Sequence, residues 1–340
     1  MRHVPHIDPK DKVKLDLKDR KILSLLGENS RLPSTKISKV VSLSRDAVSH
    51  RIKMYENKGL IQGYKTVTDI RKFGYENYHI FIRLNKPSKE NERKVVDSLS
   101  AHSFVRAILK FSGKYDLEIA VIAKSVSHLE LIVETILFEC SLYVLDYDIL
   151  IVTGNYISRT FPKNFLGDDL RIISKVTLKT KNRNGYSADK KDFEILKILA
   201  NNSRIQLYKI AEKVKMSPDS VNYRIKKMQE AGYISKFIPA INYSLLGRSV
   251  YAILLNTRIL TKKEEDDLKK FFTHDLNVIW AVKTLGKYNL LFYLCTENQT
   301  DIHNTINNMR TLFPEKIKDY ETLIAYEEYK YTYLPDVLFE

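Results

Sequence analysis

Residues 16–31 read DLKDRKILSLLGENSR, and residues 189–204 read DKKDFEILKILANNSR. The second stretch is the first displaced by 173 positions, and the same offset carries the likeness onward. Arg51-Ile52-Lys53 falls on Arg224-Ile225-Lys226, and Gly59 and Ile61 fall on Gly232 and Ile234. Gly113-Lys114-Tyr115 falls on Gly286-Lys287-Tyr288, Asp146-Tyr147 on Asp319-Tyr320, and Pro162 on Pro335. Between positions 16 and 61, 20 of 46 aligned pairs are identical, so the chain is a tandem duplication. Its unit, on the order of 150 residues, is far longer than a solenoid repeat.

Each unit opens with three helical patterns. In copy one, Asp16 is an N-cap and Ile22, Leu23 and Leu26 keep helical spacing; a short second helix covers about 34–41. The third helix opens at Ser44 and stops at Gly59, as a C′ glycine stops one. In copy two it opens with Ser217-Pro218 and stops at Gly232. Two short helices, a tight turn and a capped third helix predict a helix-turn-helix, with residues 60–65 and 233–238 as the first strand of a wing. The second half of each unit reads β-α-β-β-α-β. Tyr78, Ile80, Ile82 and Leu84 alternate as a strand, and Leu129, Ile132, Val133, Ile136 and Leu137 keep helical spacing. Residues 144–152 close copy one, and residues 320–325 close copy two. The fold class is therefore α+β: two tandem copies of a winged helix-turn-helix, each followed by a ferredoxin-like βαββαβ domain.

Charge follows the same alternation. The chain carries +15 overall, with +9 in residues 1–73, −1 in 74–162, +4 in 163–187, +5 in 188–247 and −2 in 248–340. Basic modules alternating with near-neutral ones predict two polyanion-binding parts, each followed by a part with another task. The boundaries are a basic tail 1–14, helix-turn-helix domains 15–73 and 188–247, βαββαβ domains 74–162 and 248–340, and a basic linker 163–187. Tail and linker read either as solvated tethers or as arms that track phosphates, and alternation over 170–178 suggests an extra strand. No apolar run approaches the roughly 18 residues of a membrane span, and Cys140 and Cys295 are too few for a disulfide framework or a cysteine-rich zinc site. No membrane partner is expected, and a reducing cytoplasm is the expected compartment.

The order of a helix-turn-helix and a βαββαβ unit, with a Gly-x-Tyr-Asp/Asn-Leu turn between its middle strands, resembles the Lrp/AsnC family. These are the leucine-responsive, or feast/famine, transcription regulators of bacteria and archaea. The resemblance rests on Asp19–Leu26, Asn29–Arg31, Ser44–Lys53, Gly59–Ile61 and Gly113–Leu117, and on their partners 173 positions on. It covers nearly the whole chain, twice, whereas the family's usual chain is one unit. It implies double-stranded DNA as partner and a βαββαβ domain for dimerisation and amino-acid sensing. The two βαββαβ units are then expected to pair within the chain as a pseudo-dimer, with self-association to a dimer of chains beyond that.

On the third helices, Ala47, Val48, Ile52 and Tyr55 take the inner face of copy one. That leaves Arg45, Ser49, His50 and Lys53 outward; Asn222, Tyr223, Lys226 and Lys227 are their kind in copy two. Arg, Ser, His and Asn at such places suit base edges in a major groove, against the plainer reading of a solvated helix face. Arg51 and Arg224 persist in both copies, which fits a phosphate contact or an ion pair that positions the helix. Arg31 and Arg204 read equally as structural or phosphate-binding. By resemblance, Gly113, Tyr115, Asp116, Gly286, Tyr288 and Asn289 border an effector pocket; the alternative is that the glycines serve a hairpin.

No Walker loop, G-x-G-x-x-G, H-E-x-x-H or nucleophile elbow occurs, and none of the eight histidines has a histidine counterpart in the other copy. No catalytic residue, cofactor or metal is expected. Two other readings stay open: a tetrapyrrole enzyme similar to sirohaem decarboxylases, which pair two such units, and an architectural DNA binder without effector.

Overall fold

The computed structural model describes residues 12–166 and 185–339. The strand suggested over 170–178, most of the linker and most of the basic tail lie outside the described residues. Copy one runs α1 (Leu17–Glu28), α2 (Ser34–Val41), α3 (Arg45–Asn57), β1 (Ile61–Thr68), β2 (Glu76–Leu84), α4 (Lys89–Ala101), β3 (Val105–Ser112), β4 (Leu117–Ala123), α5 (Val126–Cys140) and β5 (Val144–Ser158). Copy two repeats the order as α6 (Lys190–Asn201), α7 (Leu207–Val214), α8 (Pro218–Glu230), β6 (Ile234–Ile241), β7 (Ser249–Thr257), α9 (Lys262–His274), β8 (Val278–Gly286), β9 (Leu290–Thr296), α10 (Gln299–Leu312) and β10 (Ile317–Tyr331). The chain separates into two compact units, and each is assembled from both copies.

The first unit joins the two helix-turn-helix segments. Asp16 caps α1 and Asp19 bonds back to the Asp16 N–H, a reciprocal capping box that Asp189 and Asp192 repeat on α6. Ser42 and Lys215 take left-handed backbone to make the tight turn before each third helix. After α3 and α8 the chain runs into one strand and leaves through a short 3-10 turn, at Ile70–Phe73 and Tyr243–Leu246, without a hairpin. Each strand therefore lacks a partner in its own copy. β1 and β6 supply one another, antiparallel, with Tyr64 opposite Pro239 and Thr66 opposite Phe237. The strands expected to begin a wing instead form a two-stranded ribbon between copies.

The retained Asn-Ser-Arg triplet ties this ribbon. Ser30 N–H donates to the Phe237 carbonyl at 2.8 Å, and Ser203 N–H to that of Tyr64 at 3.1 Å. The Arg31 guanidinium donates to the carbonyls of Ser203 (2.6 Å) and Ile205 (3.0 Å), and Arg204 donates to those of Ser30 and Leu32. The Ser30 and Ser203 hydroxyls meet at 3.1 Å. Arg31 lies 5.5 Å from the Phe237 ring centre and Arg204 5.5 Å from that of Tyr64. Burial, and then the neighbouring Arg204 charge, hold the Arg31 pKa below its usual value. Both arginines are thus structural.

The second unit is a closed barrel with strand order β10-β3-β4-β2-β5-β8-β9-β7, closed by the β7–β10 pairing. β5 and β10 extend past the ends expected at 152 and 325, because each is shared. The first part of β5 pairs with β2 and the rest with β8; the first part of β10 pairs with β7 and the rest with β3. α4 and α5 cover the outside of one half and α9 and α10 that of the other, while Phe81, Phe111, Leu254 and Leu323 help fill the interior. Buried on both faces, β4 is buried at every residue. No helix among the described residues is long and apolar enough to cross a membrane, and both cysteines are buried thiols.

A polar cluster sits among these buried strands. His79 Nδ1 is 2.5 Å from Glu118 Oε1, Tyr293 donates to Glu118 Oε2, and the Trp280 ring lies 5.4 Å from His79 and 5.2 Å from Tyr293. Burial, and then the Glu118 charge, push the Tyr293 hydroxyl well above its usual pKa. Glu118→Ala strands His79 and Tyr293 and is expected to cost about 2–4 kcal/mol, as leaving buried polar groups without their hydrogen-bond partner does. Denaturant titration checks this, and a loss below about 1 kcal/mol would contradict it.

Candidate nucleic-acid interface

Each third helix is set by its first turn. The Ser44 hydroxyl accepts from Ala47 N–H at 3.1 Å and Ser217 from Ser220 N–H at 3.1 Å, with Pro218 at the first helical position. Val48, Ile52 and Tyr55 are buried beneath α3, and Val221, Ile225 and Met228 beneath α8. That anchoring leaves Arg45, His50 and Lys53 exposed on α3 and Tyr223 and Lys226 exposed on α8. Ser49 and Asn222 are half-buried at the margin of these faces, and Ser49 donates to the Arg45 carbonyl at 3.0 Å while its oxygen meets Ser34 Oγ at 3.1 Å. Arg45 has an exposed pair with Asp46 at 3.1 Å, which water screens and a phosphate or base can displace. Lys227 lies over the Tyr223 ring at 5.4 Å and 3.7 Å from Glu230, so it steadies Tyr223.

Arg51 and Arg224 do something else. Arg51 donates to Asp16 at 2.8 Å and Asp19 at 2.5 Å, and Arg224 to Asp189 at 2.9 Å and Asp192 at 3.0 Å. These bonds clamp the third helix to the N-terminus of the first. The Asp16 and Asp189 bonds, more than any other, hold the two guanidinium pKa values above their usual range. Burial pushes Asp16 and Asp189 up. Backbone N–H bonds and the arginines outweigh it and hold both carboxyls below their ordinary value. At Arg51 and Arg224 the structure shows the ion pair that positions the helix, carried by one terminal nitrogen of each guanidinium. The signal was present in the sequence, since Asp19 and Asp192 are retained at the same spacing from the two arginines.

Tyr55 and Tyr186 are functional supports that the sequence reading missed. Tyr55 donates to Asp19 at 2.6 Å. Copy two has Met228 in that place, and Tyr186, from the segment before α6, donates to Asp192 at 2.6 Å instead.

The six residues read as effector ligands lie in the barrel and close it. At Gly113 a Cβ would stand 2.8 Å from Leu323 Cδ2, and at Gly286 2.4 Å from the Ile149 carbonyl oxygen, both at positive φ. Tyr115 is buried and donates to Asp148, while Tyr288 is buried and accepts from Lys114 at 3.0 Å. The Asp116 carboxylate accepts from Leu84 N–H at 2.7 Å, and Asn289 Oδ1 accepts from Thr257 N–H at 2.9 Å. Asp and Asn therefore do one backbone job in the two copies. The geometry gives the six residues to strand closure and lends the effector reading no support. An open groove of about 880 Å³ lies elsewhere, between α9 and α10, with His274, Asp301, Asn304 and Asn308 on its walls.

A family described as winged helix-turn-helix DNA-binding matches residues 15–62 and 189–235. The HTH-type transcriptional regulator LrpA of Pyrococcus abyssi is 34% identical over 110 residues, 32% of this chain and 77% of that protein. The HTH-type transcriptional regulator LrpB of Bacillus subtilis is 28% identical over 145 residues, 43% of this chain and 93% of that protein. Each match is shorter than one repeat. Over the whole chain the fold is similar to the siroheme decarboxylase NirDL, with a TM-score of 0.59, 92% of both chains covered and 14% identity, which speaks for the fold alone.

Arg51→Ala is expected to cost about 2–3 kcal/mol of stability, below a fully buried pair because Arg51 keeps solvent contact. The salt dependence of DNA binding should not change. Lys53→Ala is expected to do the reverse, lowering the salt slope by about 0.9 with little loss of stability. Depressed carboxyl pKa values give Asp16 and Asp189 a contribution that is full above the ordinary carboxylate range and is lost as pH falls through their folded values. Melting measured from neutral to acid pH should therefore fall less steeply for Arg51→Ala than for the parent chain.

Proposed function

Since the chain belongs to the Lrp/AsnC family of HTH-type transcriptional regulators, we propose that it is a sequence-specific binder of double-stranded DNA that regulates transcription, one chain working as a pseudo-dimer. The observation that carries this reading is the pair of capped third helices with exposed polar faces, held in one unit by the β1–β6 ribbon. Net basic charge in both helix-turn-helix segments supplies the sequence-independent attraction to phosphates. Lys53 and Lys226, exposed in both copies, are the phosphate contacts of this proposal. Arg45, Ser49, His50, Asn222 and Tyr223 are the base-reading set. A cytoplasmic site of action is supported by the likeness to DNA-binding regulators. A small effector of the amino-acid class is supported by family membership alone.

The two reading faces differ. Arg45 stands against Pro218, Ser49 against Asn222 and His50 against Tyr223. Each good base contact discriminates by about 1–3 kcal/mol, so two or three differences give the half-sites distinct consensus sequences. The operator for one chain is then an asymmetric pair of half-sites, roughly one or two helical turns between centres. A second reading, tetrapyrrole decarboxylation, draws on the whole-chain fold likeness to NirDL. Titration with an iron uroporphyrin would support it through a shifted visible absorption band.

Selection from a random DNA library is expected to recover unlike half-sites, with Ser49→Ala relaxing one and Asn222→Ala the other. A strict short palindrome, with both halves equally sensitive to the two changes, would sink the asymmetric operator. Binding without any enriched sequence would instead point to an architectural binder.

A further inference from the structure

The groove between α9 and α10 has a floor of hydrogen-bonding groups whose orientation is set from behind. Arg248 is buried and can only donate; its guanidinium bonds to Asn164 Oδ1 at 2.9 Å and to Glu297 at 2.8 Å. The Asn164 amide must then present its nitrogen to Asn277, whose Oδ1 accepts at 2.7 Å. That leaves Asn277 Nδ2 to the groove. Asn277 lines the groove and is only 8% exposed, yet its Nδ2 has no hydrogen-bond partner among the described residues. A buried donor left unmet is costly. The neighbouring Asp275 carboxylate is fully used, accepting from the N–H groups of Asn277 and Val278 and from the Thr305 hydroxyl. One turn before Thr305 on α10, Asp301 accepts from Thr296 on Oδ2 and keeps Oδ1 without a partner among the described residues.

The duplication supplies an internal reference. Copy one fills the equivalent place with its own side chains. Ser98 on α4 donates to Glu139 on α5 at 2.6 Å, and the Phe104 ring stands edge-on to His128 at 4.9 Å. The residues 173 positions on are Phe271 and Leu312 for the first pair, Asn277 and Asp301 for the second. Copy two thus exchanges a polar bridge between its helices for apolar walls, and an aromatic plug for an unmet donor near an unmet acceptor. About 880 Å³ is left between the helices, a size that suits a small molecule. The same scaffold is stable when the place is filled, so folding does not require the groove.

Charge narrows what the groove can take. Lys270 on its wall is paired with Asp267 at 2.9 Å, and His274 Nδ1 meets the Lys270 carbonyl at 2.8 Å. A phosphate or a free carboxylate therefore finds carboxylates at the floor and a cation already engaged at the rim. A neutral, flat ring with a donor beside an acceptor on one edge meets every open group. We infer that the groove binds an amino-substituted nucleobase, free or as its nucleoside. Asn277 Nδ2 donates to a ring nitrogen, Asp301 Oδ1 accepts from the exocyclic amine, and the ring lies against Phe271 and Leu312. Asn304 and Asn308, exposed and one turn apart on α10, offer amides to the ribose hydroxyls. The site belongs to the barrel unit and draws nothing from the DNA-binding faces of the third helices.

Calorimetric titration of the full chain with adenosine, without DNA, tests this. The expected Kd is about 0.1–1 mM, ordinary for a ligand of this size. Purine riboside, which lacks the exocyclic amine, is expected to bind about tenfold more weakly, because Asp301 loses its donor. AMP is expected to bind no tighter than adenosine. The double variant Phe271→Ser, Leu312→Glu restores the pair that bridges copy one and should abolish the heat of binding. Phe271 also packs against the core, so a second variant, Asn308→Trp, fills the groove from an exposed position and should leave the melting curve unchanged. Absence of saturable heat with adenosine up to about 5 mM, or undiminished binding by a folded Asn308→Trp chain, would overturn the proposal. Equal affinity for adenosine and purine riboside would overturn the edge assigned to Asn277 and Asp301.

Discussion

A strand with an open edge must find backbone partners, and neither copy of this duplicated chain can satisfy all of its own. β1 has no hairpin partner, and neither does β6. The distal parts of β5 and β10 run beyond the sheets of their own copies and pair with β8 and β3. Every one of these edges is met by the other copy. Both compact units follow from that single constraint, and the crossed Arg31 and Arg204 bonds add side-chain exchange to backbone exchange.

Local signals were legible and reciprocal ones were not. The caps at Asp16, Ser44 and Ser217, the glycine stops and the short helix α2 depend on residues within one turn of each other, so spacing alone reveals them. Residues 60–65 predict a wing strand because nothing in them states where their partner lies, and the expected ends of β5 and β10 fall short for the same reason. The periodicity of a strand reports burial and is silent about which strand lies alongside. At the candidate interface, the outward faces of α3 and α8 came from helical geometry, whereas the role of Arg51 needed its carboxylate partners 32 and 35 residues earlier. Retention in both copies marked Arg51 and Arg224 as constrained without saying by what.

The clamp also shows how duplicated parts drift. Asp19 and Asp192 need a hydroxyl donor, and the two copies obtain it from different elements, Tyr55 within α3 and Tyr186 ahead of α6. The requirement of the buried carboxylate is conserved between copies while the donor's position is not. Such compensation frees position 228 for methionine and leaves the geometry of the two third helices matched beneath unlike outer faces.

The polar cluster inside the barrel has a consequence for ancestry. Glu118 and His79 of copy one correspond to Leu291 and Ala252, and Tyr293 and Trp280 of copy two correspond to Ala120 and Ala107. A barrel built from two first halves would bury two carboxylates with alanine where the tyrosine hydroxyl should be. One built from two second halves would crowd two tryptophans and two tyrosines without an acceptor. The halves have become obligate complements, like a lock and its key cut from one blank. Fusion into a single chain keeps them at equal stoichiometry, and a split back into two self-pairing proteins would first have to undo the divergence of the core.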